Sequence, residues 1–383
     1  MRDAWALDDS IHFLNHGSFG ATPKVVLAKQ AELRARLESE PVRFMARELE
    51  PLLDATRARV AEFLGADPAD LVFVTNATTG VNAIVRSLAF DVGDELVTTS
   101  HGYNACTNVL RFAAEQTGAR VVIAPVPFPV SSSKEIADAT RSVVTERTKL
   151  VLLDQISSPT AVVFPVDELV AEFEGRGIQV LVDAAHAPGH VPLNLGRTNA
   201  SFTTGNLHKW VCAPKGVAFL HVRRELQDRI RPTVISHGAN SKRTDRSRFQ
   251  LEFDWMGTSD PTAILSVPTA LDFMGSLLPG GWPALMKANH DGVVAARARL
   301  LDVLQTPAPC PTELLGAMAS VIVPWPEAGL EKKLFETFHI EVPVIPRGPQ
   351  QTLVRVSMQR HVREQDVEAL AAAFRSMKSG GAV

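Results

Sequence analysis

Only three cysteines, Cys106, Cys212 and Cys310, are present, far apart and without CxxC spacing. That excludes a disulfide framework and a cysteine zinc site, and it fits a reducing cytoplasm. Charge of one sign is also missing: 39 basic against 42 acidic residues leave a net charge of -3. With no basic run to follow a phosphate backbone or an anionic bilayer, neither nucleic acid nor a membrane surface is an expected partner. No apolar stretch is long enough to span a bilayer. The opening MRDAWALDDSIHFLNHG carries acidic residues where a signal peptide needs a basic region and an apolar run. There is no GxGxxG or Walker loop, which disfavours nicotinamide and ATP chemistry. His186 and His208 match no ligand spacing, so no metal site is expected.

What is present is an ordinary globular balance, 45% hydrophobic and 21% charged residues. A chain of 383 residues exceeds what one core usually fills, which predicts a large and a smaller domain. Short β-branched runs at 71–75, 95–99, 120–126, 150–156, 179–183 and 216–222 alternate with amphipathic segments. That alternation predicts an α/β fold with a largely parallel sheet. Helical spacing covers 23–37 and 46–64, with Pro23 read as the first helical residue behind a capping Thr22. Residues 238–257 lose periodicity, are rich in Ser, Arg and Asn, and read as a functional surface loop. From about 260 onward come a long helical stretch, a PGG turn at 279–281, and mixed strands and helices ending near Met377. The final SGGAV is expected to fray. The predicted division is an N-terminal segment over the active site, 1–22, a large domain, 23–259, and a small C-terminal domain, 260–383.

Asp183 ends the apolar run QVLVD, which places it at the carboxyl end of a buried strand, where open α/β sheets bind ligands. Lys209 follows in GNLHKW, in a weakly polar setting beside Trp210. Burial lowers a lysine pKa and leaves an amine able to attack an aldehyde. A carboxylate to protonate a ring nitrogen and an amine to hold a carbonyl carbon are together what pyridoxal 5'-phosphate (PLP) requires. A phosphate site accompanies them in TNATTG, between a strand and a helical stretch, with Ala77, Thr78 and Thr79 as backbone donors at a helix N-terminus. Tyr103, the one tyrosine of the chain, follows a strand and can stack on a flat heterocycle.

TNATTG, DQISSPTA, DAAH, GNLHKWVCAPKG and GTSDPTA, together with the opening FLNHGSFG, resemble the successive motifs of the fold-type I, class V aminotransferase superfamily. Within it the chain is similar to the isopenicillin N epimerase-like branch. The resemblance implies a PLP-transferase fold: a large domain with a mostly parallel seven-stranded sheet, and a smaller α+β C-terminal domain. It implies that Ala77, Thr78, Asn206 and His208 hold the phosphate, that Tyr103 stacks on the ring, and that Asp183 pairs with the ring nitrogen. His186 and the segment from Gln155 to Ser158 would lie near the ring hydroxyl, and Lys209 would form the Schiff base. A homodimer with shared active sites is implied, in which Thr258 reaches the partner subunit's phosphate.

Arg355, in LVRVSMQ, resembles the superfamily's substrate-carboxylate arginine, and the guanidinium fork suits that task. Asn15 and His16 are expected to cover the same pocket, and Arg43 and Arg47 are weaker candidates. Abstraction and return of an α-proton is the leading reaction. C–S β-elimination is the alternative, and transamination a third. A cysteine desulfurase is disfavoured because residues 342–356 hold no cysteine.

Overall fold

The computed structural model describes residues 1–325, 328–348 and 351–380. Strand β1 (His12–Phe13) is followed by β2 (Leu71–Val74), β3 (Glu95–Thr99), β4 (Arg120–Ala124), β5 (Thr148–Asp154), β6 (Gln179–Asp183), β7 (Phe202–Asn206) and β8 (Ala218–Val222). Further along are β9 (Met318–Val323), β10 (Ile340–Glu341), β11 (Val344–Pro346) and β12 (Thr352–Ser357). Strands β2 to β8 build one seven-stranded sheet in the order β2-β8-β7-β6-β5-β3-β4. Only β8 runs against its neighbours, and every other pair is parallel. Strands β2, β3, β7 and β8 are buried at every residue. Their sheet is therefore covered by helices on both faces, as parallel sheets require.

β7 was not among the apolar runs. Its sequence, Phe-Thr-Thr-Gly-Asn, is mostly polar, yet it is central because its polar groups are satisfied inside. The Thr204 hydroxyl donates to the Phe219 carbonyl at 2.8 Å, and Gly205 leaves room for the Phe219 ring, 2.7 Å from where a Cβ would sit.

Strands β11, β12 and β9 form an antiparallel sheet. Val321 and Val356 of that sheet, Val293 and Leu300 of the helix Gly281–Leu304, and Leu370 and Phe374 of the helix Glu364–Gly380 share one core with Val151 and Val182 of the large sheet. β1 pairs in parallel with β10, which stitches the N-terminal segment to the C-terminal part. No single helix among the described residues is long and apolar enough to cross a membrane.

Three local expectations need correction. The first long helix is Lys24–Ser39 with Pro23 as its cap residue, while the Thr22 hydroxyl donates to the Ala213 carbonyl at 3.2 Å. Thr22 thus ties the segment to the Lys209 loop and caps nothing. The stretch 238–257 contains a helix, Arg248–Phe253, whose Phe249 and Phe253 are buried in the core. Six residues are too few to reveal a helical period. Finally, the C-terminal helix continues through Gly380, past the expected end near Met377, while residues 381–383 of SGGAV, where fraying is expected, lie outside the described residues.

Candidate active site

The parallel strands end together at one edge of the sheet. Asp154 closes β5, Asp183 closes β6 in register with it, and Asn206 closes β7. The helix Ala77–Ser87 begins beside them. They surround a cavity of about 640 Å³ whose lining includes Thr78, Tyr103, Ser158, His186, His208 and Lys209. That is the size of a small-molecule site.

Asp183 is buried, with one donor on each oxygen and acceptor capacity to spare. Its Oδ1 accepts the Ala185 N–H at 2.9 Å and its Oδ2 accepts the Cys106 thiol at 3.2 Å. Burial raises its carboxyl above the usual range. Asp154 accepts the Tyr103 N–H on Oδ1 at 3.2 Å. Burial, and then the Asp183 charge, push it well above the ordinary carboxyl value. Burial also raises the Cys106 thiol, with the Asp183 charge adding to it, so Cys106 is a donor and not a thiolate.

The Lys209 amine lies 3.1 Å from His186 Nε2. Burial, and then the nearby Arg355 charge, lower it to about 7, against partial relief from Asp183. Lys215, the other lysine of the segment, donates to the Gly20 carbonyl at 2.9 Å instead. Burial holds His186 well below its usual value, and its buried Nδ1 has no partner.

At the helix N-terminus the cap is Asn76, whose Oδ1 accepts the Thr79 N–H at 2.9 Å. The Ala77 N–H donates to Asn206 Oδ1, also at 2.9 Å. Ala77, Thr78 and Thr79 all line the cavity, and two of their backbone N–H groups, those of Ala77 and Thr79, also serve to build the turn. Gly80 is required here, because a Cβ would sit 2.2 Å from Thr204 Oγ1 and push the helix off β7. His208 Nδ1 donates to the Val217 carbonyl at 3.0 Å, and burial lowers this ring to about 4.

Several candidates stand elsewhere. Gln155 does not line the cavity: strand alternation sends Asp154 and Ile156 inward and turns Gln155 away. His16 is buried beneath the lysine loop, its Nε2 3.0 Å from the Lys209 carbonyl. A carbonyl only accepts, so Nε2 carries the proton. Burial lowers the ring to about 3, so Nδ1 is bare and accepts from His361 Nε2 at 3.0 Å. His16 therefore packs against the Lys209 backbone and is not among the residues lining the cavity. Gly20 (φ 71°) permits this packing, since a Cβ would lie 2.2 Å from the His208 carbonyl. Asn15 sits one step back, donating to Glu341 at 3.0 Å and accepting from Ser18 at 2.5 Å.

Arg355 is buried behind the cavity wall. It donates to the Ser158 carbonyl at 2.5 Å, to the Ser158 hydroxyl at 3.0 Å and to Ser18 Oγ at 3.0 Å. Its Nε has no partner, and burial lowers the guanidinium to about 10. Both serines line the cavity. Thr258, Arg43 and Arg47 are exposed and outside it, Arg43 pairing with Glu48. No group of three His, Cys, Asp or Glu among the described residues could hold a metal.

Sequence reasoning missed Asp154, Cys106 and Ser18. For Asp154 a signal existed: LVLLD ends in an aspartate as QVLVD does. For the other two, only the fold brings the partners together.

A carboxylate at the end of β6 and a depressed lysine amine after β7, on this sheet order, define a fold-type I PLP-dependent enzyme. The aminotransferase class-V family model matches residues 12–314. An isopenicillin N epimerase from Amycolatopsis lactamdurans is 32% identical, over 98% of this chain and 97% of that one. A probable L-cysteine desulfhydrase, chloroplastic, from Arabidopsis thaliana is 32% identical, over 96% of this chain and 83% of its own length. Among solved structures, the cystine C-S lyase C-DES with its product cysteine persulfide superposes with a TM-score of 0.82 at 22% identity, covering 96% of this chain and 98% of that one. The chain belongs to the class-V aminotransferase family.

Proposed function

We propose that this protein uses PLP to act at the α-carbon of an amino acid or amino-acid-like substrate, with epimerisation as the net reaction. The observation that carries this reading is the Lys209 amine, held near a pKa of about 7 between a buried carboxylate pair and a buried arginine. When bound, PLP withdraws electrons from the α-carbon and makes its proton removable.

The residues present fit that cofactor. Asp183 would hold the ring nitrogen, and Lys209 the carbonyl carbon. His186, whose buried Nδ1 is unpartnered, and Ser158 would meet the ring hydroxyl. Thr78, Asn206 and His208 would meet the phosphate, whose charge favours a second proton on the His208 ring. Tyr103 would cover the ring.

The remaining steps belong to the chain. A neutral Lys209 amine accepts the α-proton on its own face. Inversion requires a second donor opposite, and the Tyr103 hydroxyl at the cavity mouth is our assignment for it. Arg355 binds the substrate carboxylate, which replaces Ser18 and engages the unpartnered Nε–H.

We also propose a homodimer. Phe19, Val234 and Ile235 are 71%, 51% and 60% exposed, and Phe19 lies at the cavity itself. Such apolar exposure favours a partner surface, with the exposed Thr258 reaching across. The division at 1–22, 23–259 and 260–383 is our working one, supported by a large sheet that ends at Val222 and a small sheet that begins at Met318. The three free cysteines favour a reducing compartment, the cytoplasm.

A second reading, C–S β-elimination, is favoured by the cysteine desulfhydrase relatives. It needs Lys209 but not the Tyr103 hydroxyl. Incubation of the holoenzyme with a panel of amino acids in deuterated water separates the two. Epimerisation predicts α-deuteration with inversion, and Tyr103→Phe should slow inversion far more than exchange with retention. Rapid keto-acid and ammonia release without inversion of any substrate would replace the epimerase by the lyase.

A further inference from the structure

Asp154 has no role in the steps above, yet it is among the most buried charged residues of the cavity. Its carboxyl and that of Asp183 are in register on adjacent strands and only 5% and 3% exposed. Parallel neighbours are about 4.8 Å apart. Two carboxylates so placed, away from water, do not both stay ionised.

The hydrogen bonds decide which one holds the proton. Asp183 receives a donor on each oxygen, the Ala185 N–H and the Cys106 S–H, as an anion demands. Asp154 receives one from another residue, the Tyr103 N–H on Oδ1, and beyond it only its own backbone N–H, so no neighbouring residue supplies Oδ2 with a donor. The charged and titratable groups around it are Asp183 on β6, Cys106 at the start of the helix Asn104–Thr117, and Lys209 after β7. Lys209 is the one cation among them, and its charge offsets a single carboxylate.

We propose that Asp154 is a positioning residue that carries a proton on Oδ2, anchors the Tyr103 backbone through Oδ1, and leaves Asp183 as the single anion of the cavity floor. Its value to the enzyme rests on the PLP reading: an ionised Asp154 would compete with Asp183 for the ring nitrogen, and a missing one would release Tyr103. The protonation itself does not depend on that reading.

The test is infrared spectroscopy of wild type and Asp154→Asn at neutral pH, on both apoprotein and holoenzyme. The wild type should show the carbonyl stretch of a protonated carboxylic acid, shifted in deuterated water and lost in Asp154→Asn. Absence of the band in wild type, or its persistence in Asp154→Asn, overturns the proposal. PLP affinity gives a second readout. Asp154→Asn keeps a neutral acceptor for the Tyr103 N–H and should bind PLP within about threefold of wild type, whereas Asp154→Ala should lose about tenfold or more. Equal large losses in both variants would mean that the charge matters, and would also overturn it. Because the band is read on apoprotein too, failure of PLP to bind would strike the functional reading alone.

Discussion

Replacing Lys209 by methionine in the apoprotein tests the strained amine on which the chemistry depends. In the unfolded chain the amine titrates at 10.5, and in the fold at about 7. At about 1.4 kcal/mol per pH unit, that difference is on the order of 4–5 kcal/mol. Lys209 reaches the cavity, so water reduces the cost, and about 2–4 kcal/mol is expected. Above pH 7 the unfolded chain binds the extra proton, so wild-type stability should rise with pH from about 7 toward 10.5. Below 7 both states are protonated and the full penalty is present without slope. Lys209→Met lacks this slope, although it also removes the cation beside Asp183, which shifts its absolute stability. The pH dependence of the gap is therefore the observable. Urea unfolding of both apoproteins at fixed protomer concentration, from pH about 6 to about 10, should show the wild type gaining on the variant as pH rises. Parallel curves would refute a depressed lysine.

Asp183→Ala should retain PLP but lose at least about 100-fold in kcat, because an unprotonated ring withdraws electrons poorly; near-normal turnover in steady-state assays would contradict the pairing. Arg355→Lys keeps the charge but not the fork, and should raise KM for α-carboxylate substrates at least about tenfold with PLP affinity unchanged. If it releases PLP and leaves KM alone, the arginine belongs to the cofactor shell. Sedimentation of the holoenzyme at micromolar concentration should report a dimer, and a monomer would remove Thr258 from the site.

The sheet and the chemistry were legible where burial and sequence agree. QVLVD is apolar up to the one residue that must be charged, and GNLHKW sets a lysine beside a tryptophan, so Asp183 and Lys209 stood out. β7 was invisible because its threonines are satisfied within the fold, which no local pattern reveals. Parity hid the placing of Gln155: a strand sets neighbours on opposite faces, and the motif alone does not say that Asp154 and not Gln155 lines the cavity. The surroundings of His16 and Arg355 are set at long range. Arg355 meets Ser18 across 337 residues, and His16 meets the Lys209 carbonyl across 193. The Arg355 contact goes with β1 pairing with β10, and both contacts are displayed only by the assembled chain.

The most direct test of the account is borohydride reduction of the purified yellow holoenzyme, followed by tryptic mapping of the PLP-bearing peptide. The account predicts a single modified residue, Lys209, and no covalent attachment in Lys209→Ala. PLP on Lys215 or on any other lysine would contradict it.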